Sequence, residues 1–212
     1  MYQGKKELRS RQAIKAALIA LVRTTPYSKI TVQNIIDRSQ YSKGTFYSHF
    51  SDKDDLLKQM IDDEVSRYVY YTTTRVLEQK DMQHTIAEIR NSIVLGLEDF
   101  FFHVYQNQEF YRCIAAHSFP GVTFNTLAQM NYEKVSLMFT LTAQPPYEKL
   151  DMDMYLHQCC HTYMQYVKYW VDHEFAQSPK YMVEQAVMLL RTSIPIRVEK
   201  QNVKNDCKIQ NR

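Results

Sequence analysis

Between Thr31 and Leu57 the chain sets three helix-starting residues, Thr31, Ser42 and Ser51, so close together that only short helices fit between them. Thr31 opens a helix whose inward side chains are Val32, Ile35 and Ile36. Ser39-Gln40-Tyr41 forms a turn, and Ser42 opens a second helix that ends near Phe50. Ser51 opens a third, with Asp52, Asp54 and Asp55 set against its positive end. Two short helices across a tight turn, followed by a third, is how a small domain presents a helix end to the DNA major groove. That end needs exposed donors and acceptors, which Ser42, Lys43 and Thr45 supply. Gly44 costs about 1 kcal/mol inside a helix relative to alanine, and in return lets the backbone approach another molecule closely. Phe46 and Phe50 are expected to point inward, while Tyr47, His49 and Lys53 stand where they could clamp phosphates beside the groove. A three-helix bundle with a merely solvated basic face would not explain why these cations and aromatics gather after an exposed helix start.

Charge supports a polyanion partner for this part of the chain alone. Residues 1–53 hold ten Lys/Arg against three Asp/Glu, and the remainder holds sixteen against twenty. A basic module thus precedes a mildly acidic body. Cys113, Cys159, Cys160 and Cys207 form no regular framework, which reads as reduced thiols in a cytoplasmic protein. Residues 13–22 are apolar, but Lys15 interrupts them in an amphipathic pattern, so a secretory signal is not expected. No uninterrupted apolar run is long enough to span a bilayer.

Only four Gly and six Pro punctuate 212 residues, which favours long helices, and no β-hairpin signal appears. A first helix is expected over 6–24, with Ile14, Ala17, Leu18, Leu21 and Val22 inward and Pro26 as its stop. The helix that follows Ser51 should continue to about residue 79. Further helices are expected near 82–106, 107–117, 122–142, 150–175 and 180–193, the last started by Ser178-Pro179. The tail from Arg197 is polar and carries little periodicity.

Residues 8–57 resemble the DNA-binding domain of the tetracycline-repressor (TetR/AcrR) family of bacterial regulators. The matching pieces are Ile30-Thr-Val32, Ile35 and Ile36, Ser42-Lys-Gly-Thr-Phe-Tyr-Ser-His-Phe50, and Lys53-x-x-Leu56. An echo follows in Tyr169-Trp170 through Leu190. The resemblance implies an all-α homodimer with a three-helix helix-turn-helix domain over 1–51. A helical regulatory and dimerisation domain over 52–196 and a disordered tail over 197–212 would complete it. It implies Ser42, Lys43, Thr45 and Phe46 near the bases, and Thr31, Tyr47, His49 and Lys53 on the DNA backbone, with Gly44 also among the DNA-binding residues. The operator would be palindromic or nearly so. It also implies repression more often than activation, relieved by a small, largely apolar or aromatic effector; the alternative is a body that binds a protein partner. One departure is Gln40, where the family commonly has Gly. A left-handed backbone there costs Gln roughly 1 kcal/mol.

The body is rich in aromatics and Met, and a pocket within it could draw on Tyr70, Phe101, Phe102, Tyr105, Tyr111, Phe124 and Met138. Each of these equally suits an ordinary core. His157, Cys160 and His161 suggest three zinc ligands within one helical turn, but no fourth is evident, and no metal or other cofactor is expected. Two late apolar stripes suit a four-helix bundle across a twofold axis. Tyr163, Val167 and Trp170 lie on one, and Val183, Val187 and Leu190 on the other. No phosphate-cradling glycine loop or nucleophile elbow is present, and an enzyme is not expected.

Overall fold

The computed structural model describes residues 2–71, 86–142 and 151–192. Among these every regular element is a helix: α1 (Tyr2–Val22), α2 (Val32–Ser39), α3 (Lys43–His49), α4 (Lys53–Val69), α5 (Ile86–Gln106), α6 (Gln108–Ala115), α7 (Phe124–Thr142), α8 (Met152–Asp172) and α9 (Pro179–Thr192). A short 3-10 turn at Tyr27–Lys29 follows Pro26, which ends the first helical run. The expected continuation of α4 to residue 79 and the tail over 197–212 lie outside the described residues.

Local chemistry explains most boundaries. Thr31 and Asn34 cap α2 reciprocally: the Thr31 hydroxyl accepts from the Asn34 amide, and Asn34 Oδ1 accepts from the Thr31 amide. Ser42 Oγ accepts from the Thr45 amide at 3.1 Å and starts α3. The cap of α4 is Asp52, not Ser51: its Oδ1 accepts from the amides of Asp54 and Asp55, since a carboxylate offers the stronger acceptor at a positive helix end. Ser51 instead donates its amide to Asp55 Oδ2. Asp151 caps α8, and Ser178 Oγ accepts from the Tyr181 amide at the start of α9.

In the head, α1 packs on α2 and α3 around Ile14, Leu18, Ile35, Phe46 and Phe50. In the body, α7 lies along α8 and α4, and α9 lies along α5. The two share one continuous core, because α1 also packs on α6. Arg23 Nη1 reaches Glu109 Oε2 at 2.8 Å across that contact.

The expected dimer stripe on α8 is corrected here. Tyr163, Val167 and Trp170 are buried within the chain, as is Val183 on α9. The stripe packs within the same molecule: α8 lies on α6 and α7, and Trp170 meets Phe101 and Tyr105 of α5. Val187 is half-buried against the same core, and the side chain of Leu190 lies outside the described ones.

Candidate nucleic-acid interface

The turn between α2 and α3 depends on Gln40, whose backbone is left-handed (φ 60°, ψ 24°) and whose amide donates to Ile36 O. From there Ser42, Lys43 and Gly44 emerge as exposed residues at the start of α3. The Ser42 and Thr45 hydroxyls lie 2.9 Å apart. Tyr47, 49 % exposed, sits on the outer face with the Lys43 ammonium 6.0 Å from its ring centre. A Cβ added at Gly44 would meet only Ser42 Oγ, at 3.8 Å. Nothing inside the chain therefore requires glycine there.

Three side chains expected at DNA are engaged elsewhere. Phe46 is 0 % exposed and packs against Phe50, with ring centres 5.8 Å apart. It anchors α3 to the head and has no free surface for a base. The Lys53 ammonium donates to the carbonyls of Tyr27 and Ile30, each at 2.9 Å, and lies 4.6 Å from the Tyr27 ring centre. In return the Tyr27 hydroxyl donates to Lys53 O at 3.0 Å and to Asp54 Oδ1 at 2.7 Å. Burial and then the Asp54 carboxylate push this phenol well above its ordinary value. Lys53 is thus a staple that fastens the 3-10 turn to the start of α4. His49 is half-buried, with Nε2 2.7 Å from Ser10 Oγ on α1, so its ring is turned into the head. Thr31 remains exposed, with its hydroxyl occupied by the α2 cap.

The fold and this helix-turn-helix geometry agree with the comparisons with known proteins. A family model described as bacterial regulatory proteins, tetR family, matches residues 14–60, and one described as a transcriptional regulator C-terminal region matches residues 91–192. This chain belongs to the tetR family. Regulators of that family are non-enzymatic transcription factors that bind DNA and act as dimers. Solved structures agree on the fold. A putative TetR-family regulator from Syntrophomonas wolfei is 16 % identical, with TM-score 0.64, covering 90 % of this chain and 98 % of its own. FadR of Bacillus halodurans, a fatty acid degradation regulator, is 15 % identical with TM-score 0.58, at 89 % and 97 % coverage. A TetR regulator from Streptococcus agalactiae 2603V is 18 % identical with TM-score 0.52, at 90 % and 98 %. The search of curated proteins gave no match.

In this tetR-family regulator the residues expected to line a pocket do not meet in one place. Phe101 is buried against Trp170, and Phe124 is buried at the start of α7. Tyr111 is buried and donates its hydroxyl to Glu64 Oε2 at 3.1 Å. Tyr70 is 60 % and Phe102 55 % exposed, and Tyr105 stacks on Trp170 from the surface. The side chain of Met138 lies outside the described ones. An open cleft of about 250 Å³ is lined by Tyr71, Glu98, Asp99, Phe102, His103 and Gln106. It shares only Phe102 with the expected set. Below it is a cluster that periodicity does not reveal. His103 Nε2 lies 2.7 Å from Glu64 Oε2, the oxygen that Tyr111 also reaches, tying α4, α5 and α6 together.

The three-ligand metal set also comes apart. Cys160 is buried on the side of α8 away from solvent, with the Tyr68 hydroxyl 3.6 Å from its sulfur. Burial pushes its thiol up to about 12, and its sulfur faces the Tyr68 hydroxyl within the core, whereas His157 is exposed and His161 half-buried. Among the described residues no three His, Cys, Asp or Glu side chains are grouped to hold an ion. No described helix is long and apolar enough to cross a membrane.

Proposed function

We propose that this regulator reads a twofold-symmetric DNA site, inserting the start of α3 into the major groove. Ser42, Lys43 and Thr45 meet base edges, while Thr31 and Tyr47 meet the backbone. The observation that carries this reading is Gly44. It is exposed, helical and unneeded by any internal contact, yet it costs the helix about 1 kcal/mol relative to alanine. A close approach by another molecule gives that cost a purpose. Gly44→Ala tests it: the head should become slightly more stable while operator affinity falls. Unchanged affinity with raised stability would remove the close-approach role.

Repression in the cytoplasm, relieved by a small, largely apolar or aromatic effector, is the mode of control that fits a family regulator with an aromatic body. The head would be residues 1–51 and the regulatory and dimerisation body 52–196. Pairing would use the outer faces of α8 and α9, where Met154, Tyr169, Tyr181 and Met188 are exposed, because aromatics and methionines suit interface cores. A second reading, a protein partner on the body, is favoured by Leu95, Phe102 and Tyr105 exposed along α5. One structural neighbour, at TM-score 0.56 and 15 % identity, is named an operon activator, DhaS. Operator binding followed while candidate effectors are added separates the two readings. Release by a small molecule supports the first, and indifference to small molecules with capture of a protein on α5 supports the second.

A further inference from the structure

The outer face of α8 carries a pair of imidazoles that DNA reading leaves unused. His157 and His161 stand one helical turn apart, where side chains four residues apart share a face. Their ring centres are 4.1 Å apart and their planes 26° from parallel. His161 Nδ1 lies 2.9 Å from the backbone carbonyl oxygen of His157. A carbonyl can only accept, so Nδ1 carries the proton and the lone pair is on Nε2, pointing away from the helix. This is the tautomer that a metal-bound histidine adopts when a carbonyl holds its second nitrogen. The Tyr132 ring stands edge-on to His157, with centres 5.0 Å apart, and its hydroxyl is fixed by Asp153 Oδ1 at 2.5 Å. The His157 ring is therefore packed between Tyr132 and His161. Asp153, one turn before His157, adds negative charge beside the pair.

We propose that His157 and His161 chelate one divalent first-row transition ion, Cu²⁺, Ni²⁺ or Zn²⁺, through their Nε2 atoms. Imidazole suits these ions, and for a given site copper binds most tightly. Each nitrogen binds at about 2.0–2.1 Å along a lone pair in its own ring plane, so the two rings must turn out of their stack to aim both Nε2 atoms at one ion. Because no further described His, Cys, Asp or Glu joins the pair, the remaining coordination positions belong to water or to donors from a second molecule. Bound metal would lock this turn of α8 and stabilise the folded chain by mass action.

The experiment is calorimetric titration of Zn²⁺, Ni²⁺ and Cu²⁺ into the tag-free full chain without DNA. It is run beside His157→Gln, His161→Gln and, as a control, His173→Gln. His173 stacks on Tyr169 in the same spacing but has no imidazole partner. The expected result is a saturable site in the unaltered chain and in the control, weakened at least about tenfold in each of the other two variants. Affinity should also fall as pH is lowered, because a protonated imidazole has no lone pair to give. Circular dichroism of the variants checks that helix content is intact. Absence of a saturable site in the unaltered chain, or affinity in His157→Gln or His161→Gln that matches the unaltered chain, overturns the proposal. Since no DNA is present, that failure leaves the operator reading untouched.

Discussion

Head and body are both packed from amphipathic helices, yet they are fixed by different means. In the head, short helices are pinned at their ends: Thr31 with Asn34, Ser42 with Thr45, Asp52 with two amides, and Lys53 on two carbonyls. Its apolar core is small, so polar end-fastenings carry much of the geometry that α3 needs. In the body, long helices bury wide aromatic faces, and the polar contacts that matter are few and deep, such as Glu64 with His103 and Tyr111. A reading head must hold one helix at one angle, which end-caps do. A regulatory body must offer area and alternative packings, which broad apolar faces do.

The contrast can be broken or sharpened by measurement. The largest effect is expected from Phe46→Ala, which empties a fully buried site in the smaller core. A loss of about 3–5 kcal/mol in chemical denaturation is expected, together with loss of operator binding. A cost under about 1 kcal/mol would mean the head does not depend on this anchor. Next comes Lys53→Met, which removes a cation donating to two carbonyls. About 1.5–3 kcal/mol should be lost, while the salt dependence of DNA binding keeps its slope. A slope shallower by about one unit would return Lys53 to the phosphate backbone. Gln40→Gly should raise stability by about 1 kcal/mol, because glycine adopts the left-handed turn without steric cost.

The smallest expected effect lies at the joint of α1 and α4. Burial by itself would raise the Asp63 carboxyl, but Lys15 and Arg11 outweigh it and hold Asp63 below its ordinary 3.8. A carboxylate whose folded value is depressed contributes its stability above the unfolded value and loses it as pH falls through the folded one. Denaturation midpoints taken from about pH 5 down to pH 2 should therefore fall less steeply in Asp63→Asn than in the unaltered chain. Identical slopes would show that the pair is too well solvated to matter.

The head was legible in sequence because its signals are local. Caps act within three residues, and the left-handed requirement at Gln40 follows from the tight turn and the family pattern. In sequence, Lys53 reads as a phosphate ligand because it is a cation following a DNA-facing helix. Its true acceptors, Tyr27 O and Ile30 O, come from a turn that only the fold brings near. The cap of α4 was displaced by one residue because Ser51 and Asp52 are both good caps, and only backbone geometry chooses. In the body, helical periodicity marked Tyr163, Val167 and Trp170 for burial, but period alone does not say against what. The same limit scattered the expected pocket, since seven aromatics or methionines on four helices share a chemistry but not a direction. The glutamate, histidine and tyrosine that join α4, α5 and α6 carry no sequence signature at all.

Trp170 is the single tryptophan, fully buried in the body, with its indole N–H donating to Gln177 O at 3.0 Å and Tyr105, Phe101 and Phe175 around it. Excited at the red edge of its absorption, the chain emits from that one spot, while all sixteen tyrosines stay dark. A melting curve recorded this way follows the body and is blind to the opening of the head. Set beside far-ultraviolet ellipticity, which sums every helix, it separates a molecule that melts as one unit from one whose reading end lets go first.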